Sequence, residues 1–242
     1  MTPSFLSELH GEVLISGDAS LHDIAADPTV RAAYPLLADA CDQLDAGSHL
    51  MSLGESLALI DACSITPHGV HCALSGTSEC VAKDSLELHA VLDVGPCWRA
   101  YSSLTGVALH ALDGIIEFSE GTQGAFVQHV RIPTHSAGGF QRLLRAPSDG
   151  PPGVAAISVA ATRRTDGDVR LVVGGVTSSR PYRVYTSVEE EAAAGGLDED
   201  TIAGLAERAL LDAEAAPESA AKVEAAAALL RRAIEEIDAI SD

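Results

Sequence analysis

Apolar residues recur at helical spacing near the C-terminal end of the chain. In residues 198–213 and 218–240 they fall three or four positions apart, which is typical of helices that bury one face. These positions are Ile202, Leu205, Ala209 and Leu210 in the first segment, and Val223, Ala227, Leu230, Ile234, Ile237 and Ile240 in the second. The pattern predicts two C-terminal helices whose apolar stripes are core positions.

A strand pattern precedes these helices. Residues 154–162 and 169–176 are apolar runs of strand character, and Asp166 and Gly167 between them are a hairpin signal. Residues 181–186 add a third predicted strand. Three antiparallel strands followed by helices predict an α+β arrangement in which the helices cover one face of the sheet.

The first half of the chain contains shorter predicted elements. Residues 11–27 predict a strand, a turn and a helix with Asp18 or Ser20 as its N-cap, and residues 34–44 predict a further helix. Residues 115–118 and 126–132 predict strands that lead to a proline at 133. We therefore place a boundary there, giving a first domain at 1–133 and a second at 134–242.

Composition limits the partners. The chain has 242 residues and a formal net charge of −20, which argues against binding nucleic acid or an anionic membrane surface. It opens without a secretory signal pattern, and no apolar run approaches the ~18 residues of a spanning helix. We expect a cytoplasmic protein with neither nucleic acid nor membrane as a partner.

Four cysteines offer the clearest candidate chemistry. Cys63, Cys72, Cys80 and Cys97 are spaced Cys-x8-Cys-x7-Cys-x16-Cys among Gly, Pro, Ser and Thr residues. Four thiolates are the usual ligands of an iron–sulfur cluster or a structural zinc, and zinc favours short Cys-x2–4-Cys pairs that are absent here. The alternative is four unrelated buried thiols, since free cysteine packs as a small hydrophobe.

Other thiols and imidazoles lie close by in the sequence. His68, His71 and His89 are alternative ligands near the cysteines, although such residues are more often outer donors or exposed. Cys41 falls on the preceding predicted helix and is expected to be an ordinary core thiol.

Several segments resemble a known family. SLHDIAADPTVRAAYPLLADA, HVRIP, AAISVAATRRTDGDVRLVVGGV and LDEDTIAGLAERAL are similar, in order and spacing, to the FAD-binding (medium) subunit of molybdenum hydroxylases. That family includes xanthine, aldehyde and carbon monoxide dehydrogenases. The resemblance implies a truncated flavin-type α+β domain, then a three-stranded antiparallel sheet with C-terminal helices. It also implies two partners, a large molybdenum-cofactor subunit and a small two-iron subunit.

Some members of the family carry an insertion that binds a four-iron cluster, and the cysteine region is similar to it. The resemblance implies that Cys63, Cys72, Cys80 and Cys97 are the ligands of a 4Fe–4S cluster.

The flavin motifs depart from the family pattern. Members begin with a βαβ subdomain, and this chain is expected to begin after it. The second flavin motif, Thr-Ile-Gly-Gly-Asn, corresponds to Ser52-Leu53-Gly54-Glu55-Ser56, so that Glu55 brings a carboxylate to a pyrophosphate site, where it is repelled. We therefore expect no tight FAD binding by this chain alone. The flavin-contact positions that the resemblance leaves are Ser52, Gly54, Ser56 and Arg142, the last of which is otherwise only a surface residue.

Two functions follow. The first is an electron-transfer subunit of a molybdenum-hydroxylase-like oxidoreductase complex, carrying the four-iron cluster and not catalytic alone. The second is a redox-silent scaffold, or a protein on the same fold that binds a new small molecule in the vacated flavin cleft.

Overall fold

The computed structural model describes residues 5–45, 51–61, 104–121, 124–146, 157–176, 182–211 and 220–241. These residues form a mixed helix and sheet structure with two antiparallel four-stranded sheets. The strands are β1 (Leu6–Leu9), β2 (Glu12–Ser16), β3 (Ile115–Gly121), β4 (Gly124–Pro133), β5 (Phe140–Arg145), β6 (Ser158–Arg163), β7 (Val169–Gly174) and β8 (Tyr182–Arg183). The helices are α1 (Leu21–Ala26), α2 (Pro28–Ala33), α3 (Pro35–Asp45), α4 (Leu53–Asp61), α5 (Leu104–Ala111), α6 (Thr186–Ala194), α7 (Glu199–Ala209) and α8 (Ala220–Asp238).

The first sheet has the strand order β1-β2-β4-β3. Val13 and Ile15 on β2 pair with Ile132 and Val130 on β4, and all four side chains are buried on one face. Because side chains alternate along a strand, this face is the apolar one, and helices α1 to α5 supply much of the core against it. A bulge between Glu117 and Phe118 shifts the register of β3 on β4.

The second sheet, with the order β5-β6-β7-β8, is buried on both faces. Leu143, Ala160 and Val172 join the core of the first sheet, where α3 and α5 pack against them. Neighbouring residues with the opposite orientation, including Leu144 and Val159, pack in a second core with α6, α7 and α8. The second sheet is therefore a middle layer, which explains why its strands are near-continuous apolar runs.

The α+β prediction is confirmed, and so are most elements behind it. The two C-terminal helices are present as α7 and α8, and the hairpin predicted around Asp166 and Gly167 joins β6 to β7. Of the two candidate caps, Ser20 caps α1, because its Oγ accepts a hydrogen bond from the amide of Asp23 at 3.0 Å.

Two features of the second half differ from the prediction. The sheet has four strands instead of three, because β5 adds an edge strand that the sequence pattern did not reveal. The third predicted strand is only Tyr182–Arg183, since α6 begins at Thr186 and turns Val188 and Ala192 into the second core. The boundary at 133 falls between β4 and β5, and the division into two domains stays a prediction.

None of the helices in the described part of the chain combines the length and the apolar character needed to cross a membrane.

Candidate functional site

The flavin-like motif, residues 52–56, lies at a corner where three segments meet. The amide of Gly17, just after β2, donates to the carbonyl of Gln128 on β4 at 2.9 Å. At the start of α4, the amide of Gly54 donates to the Gly17 carbonyl at 2.7 Å, and the amide of Leu53 donates to the Ala19 carbonyl at 2.8 Å. Main-chain hydrogen bonds therefore fix the start of α4 against the end of β2.

Close backbone packing explains both glycines at this corner. A Cβ atom on Gly17 would lie 2.0 Å from the carbonyl oxygen of Val127, which no side chain tolerates. A Cβ on Gly54 would lie 3.0 Å from the Gly17 carbonyl oxygen and 3.4 Å from the Val127 Cβ. Gly54 therefore has a structural reason to be glycine that does not involve a ligand.

Ser52 and Glu55 form a capping box at the first turn of α4. The amide of Glu55 donates to Ser52 Oγ at 3.1 Å, and the amide of Ser52 donates to Glu55 Oε2 at 2.7 Å. Two amides that the helix leaves without intrahelical partners are satisfied reciprocally in this way. Ser-x-x-Glu before an apolar run is a recognised signal of such a pair, which was not among the predictions from the sequence.

Ser56 points into the protein. Its side chain is fully buried, and its Oγ donates to the Leu53 carbonyl at 2.7 Å. The same oxygen lies 3.0 Å from Thr105 Oγ1 on α5, which is also buried. This hydroxyl pair fastens α4 to α5.

Arg142 lies on β5, in the second sheet, with its side chain 44 % exposed. Its Nε is 3.0 Å from Glu236 Oε2 on α8. The pKa of Asp39 on α3 is raised by burial, and the positive charges of Arg142 and Arg31 partly oppose that shift. Arg142 is therefore paired with Glu236 on α8, and its charge also favours the ionised form of Asp39 on α3.

The predicted cluster ligands Cys63, Cys72, Cys80 and Cys97 lie outside the described residues. Within the described ranges, no group of three or more His, Cys, Asp or Glu side chains could hold a metal ion. Cys41, on α3, is fully buried in the first core, as the sequence analysis expected.

The fold is that of the FAD-binding (medium) subunit of molybdenum hydroxylases, so the resemblance drawn from the sequence is confirmed. One similar structure is quinoline 2-oxidoreductase from Pseudomonas putida 86, with a TM-score of 0.61 and 14 % identity over 98 % of this chain and 78 % of that one. Carbon monoxide dehydrogenase from Hydrogenophaga pseudoflava, in a form lacking the Mo-pyranopterin moiety, gives a TM-score of 0.62 and 17 % identity over 97 % of this chain and 77 % of that one. Reconstituted CO dehydrogenase from Oligotropha carboxidovorans gives 0.58 and 16 %, over 97 % and 78 %. No family model and no curated protein matches the sequence.

These neighbours correct the cofactor prediction. They are FAD-binding subunits of three-subunit enzymes in which the small subunit carries the iron–sulfur clusters. A 4Fe–4S cluster in place of FAD is therefore wrong as the expected cofactor of a chain with this fold.

The flavin-like motif, however, does not fit an FAD phosphate as it stands. A phosphate at the start of a helix is held by amide groups that point toward it. The amides of Ser52, Leu53, Gly54 and Glu55 all donate to acceptors within the chain. The flavin-contact roles of Ser52, Gly54, Ser56 and Arg142 stay predictions.

Proposed function

We propose that this chain is the medium-type subunit of a molybdenum-hydroxylase-like oxidoreductase complex in the cytoplasm. Its partners in that complex are a large subunit with the molybdenum cofactor and a small subunit with two-iron clusters. Its task is electron transfer within the assembly, and it is not a catalyst alone.

One observation supports this proposal above the others. The fold match to three structures of such enzymes extends over 97 % or more of the chain and includes both sheets and the C-terminal helices. The names of these neighbours give quinoline and carbon monoxide as the compounds that they oxidise. The proposal takes from them the type of complex and leaves the substrate open.

A second candidate function has an observation in its favour. The internally bonded first turn of α4 favours a subunit that keeps the fold as a scaffold and no longer contributes a redox group. Such a subunit still binds its partners, but electron flow through the complex does not depend on it.

Anaerobic purification of the tagged full chain from its native cells tests the proposal. Electron transfer predicts co-purification with molybdenum, iron and flavin, together with substrate-dependent reduction of an artificial electron acceptor. The scaffold predicts the same partners and activity without flavin. Purification of the chain with no partner and no redox metal would contradict both.

Two arginines of β5 provide a matched pair of variants for the same preparation. Arg142 and Arg145 are both exposed on this strand, and the family resemblance gives a flavin contact only to Arg142. If that contact exists, Arg142→Gln lowers the flavin content of the purified complex, whereas Arg145→Gln leaves it unchanged. Equal flavin content in the two variants would remove Arg142 from the flavin site.

A further inference from the structure

We infer that Ser52, Gly54 and Ser56 build the start of α4 and do not hold an anionic ligand. The inference rests on the proposed function only in its choice of ligand, a dinucleotide pyrophosphate. It distinguishes this chain from the flavin-binding pattern of the fold, because the amides of residues 52–55 and the Ser56 hydroxyl already have partners within the chain.

The main-chain donors of the motif are the first part of the argument. Leu53 and Gly54 donate at 2.8 and 2.7 Å to carbonyls of the segment that follows β2. The amide of Ser52 donates to Glu55 Oε2, and the amide of Glu55 donates to Ser52 Oγ. An external anion would have to break these bonds, and each broken bond leaves a carbonyl, hydroxyl or carboxylate acceptor without its donor.

The side chains of the motif give the same result. The Ser56 hydroxyl is buried, donates to the Leu53 carbonyl and contacts Thr105. The Ser52 hydroxyl already accepts one hydrogen bond as the helix cap. Gly54 packs against Gly17, so main chain occupies the space next to its Cα and leaves no room there for a ligand.

The charge at this position opposes a second anion. The start of a helix carries a partial positive charge, which one carboxylate near the first turn stabilises. Glu55 supplies that carboxylate and remains exposed beside the Ser52 amide. A pyrophosphate brought to the same turn would be repelled by Glu55 and would compete with it for the Ser52 amide.

Amide chemical shifts of the full-length ¹⁵N-labelled chain, titrated with FAD, ADP and inorganic pyrophosphate, test the inference. We expect the amide signals of residues 52–56 to keep their positions with all three probes. FAD-induced shifts confined to other residues would support both the inference and flavin binding. No shift anywhere would support the inference and count against flavin binding by the isolated chain.

Saturable shifts at residues 52–56 with pyrophosphate or ADP would overturn the inference. Two variants give an independent readout that does not rely on these signals. Ser52→Ala and Glu55→Gln are expected to lower the Tm by a few degrees and to leave any affinity for ADP within twofold of wild type. A tenfold weaker affinity in Ser52→Ala, with the fold retained, would also overturn it.

Discussion

Glu189 holds the guanidinium of Arg183 with both of its carboxylate oxygens. Each oxygen lies 3.1 Å from Arg183 Nε, and Oε2 lies 2.6 Å from the NH2 nitrogen. Oε1 also accepts the amide of Leu171 at 3.0 Å. Strand β8 is only two residues long. The Glu189 carboxylate on α6 therefore accepts the Leu171 amide of β7 at the point where β8 has ended.

Removal of this carboxylate should destabilise the protein. Glu189→Ala leaves the Leu171 amide buried without its acceptor and Arg183 without its partner, so we expect a loss of about 2–4 kcal/mol in the free energy of unfolding. Glu189→Gln, which keeps one acceptor oxygen, should lose less. Urea unfolding measures both. Glu191→Ala is the matched control, because the exposed Glu191–Arg208 pair should contribute less than about 1 kcal/mol.

Gly17 and Gly204 should respond in opposite ways to alanine. Gly17→Ala places a methyl group against the Val127 carbonyl, so the variant should unfold or lose several degrees in Tm. Gly204 lies inside α7 with open space around it, and Gly204→Ala should stabilise the protein by about 0.5–1 kcal/mol. Thermal denaturation followed by circular dichroism distinguishes the two. A fully stable Gly17→Ala variant would contradict the close approach of β2 and β4.

The side-chain amide of Gln141 connects the α2–α3 junction to the segment between the sheets. Its Nε2 lies 3.0 Å from the carbonyl oxygens of Ala33 and Gly138, and its Oε1 accepts from the Leu36 amide at 3.3 Å. Gln141→Glu should cost about 2 kcal/mol or more, because a carboxylate at neutral pH faces carbonyl oxygens instead of donating to them.

Gln141→Leu should destabilise the protein less than Gln141→Glu, since leucine brings no charge against those carbonyls. Urea unfolding at pH 7 compares the two variants, with the exposed Arg145→Ala on the same strand as the control. Equal stability of Gln141→Glu and wild type would show that this contact does not contribute.

Asp198 gives a pH prediction. Hydrogen bonds from Thr201 hold its pKa below the usual value of 3.8, and its Oδ1 accepts the Thr201 amide at 2.7 Å as the N-cap of α7. A lowered folded-state pKa means that the stabilisation is complete above about pH 4 and is lost as the pH falls through the folded pKa. Asp198→Asn keeps a cap and should flatten the acid limb of a Tm-versus-pH curve. An unchanged acid limb would contradict this assignment.

Asp39 should make stability depend on pH in the opposite direction. Partial desolvation raises the pKa of this exposed residue, so the native state binds the proton more tightly and the ionised group lowers stability as the pH rises above 3.8. Asp39→Asn is expected to be more stable than wild type at pH 7, with the gain vanishing below pH 3.8. Arg142→Gln should raise the Asp39 pKa further, since Arg142 lowers it. Carboxyl NMR titration measures this pKa, and a downward shift in Arg142→Gln would contradict this electrostatic effect of Arg142.

The elements predicted correctly from the sequence are those with a repeating apolar stripe or a clearly bounded apolar run. In α7 and α8 the apolar stripe repeats over several turns, and in β6 and β7 the apolar run is bounded by an Asp-Gly turn. Strand β5 was missed because Leu143 and Leu144 are adjacent and enter different cores, so no alternation marks the strand. Helix α6 was missed because it begins without a side-chain cap and includes the buried Glu189.

The flavin-contact role of the motif stays a prediction, whereas its structural role was not predicted from the sequence. The sequence predicted no helix at Ser52-Leu53-Gly54-Glu55-Ser56, where α4 begins at Leu53. Glu55 was expected to repel a phosphate, and the structure adds that its carboxylate accepts the Ser52 amide. The amides of Gly54 and Leu53 donate to Gly17 and Ala19, more than thirty residues earlier in the chain, and local spacing does not encode such contacts.

The sheet of β5–β8 makes each half of the molecule depend on the other. If the polypeptide were severed between 133 and 140, Leu143, Ala160 and Val172 would face water on one fragment and the helices α3 and α5 would lose their cover on the other. Each fragment would therefore expose apolar surface that the intact chain keeps buried.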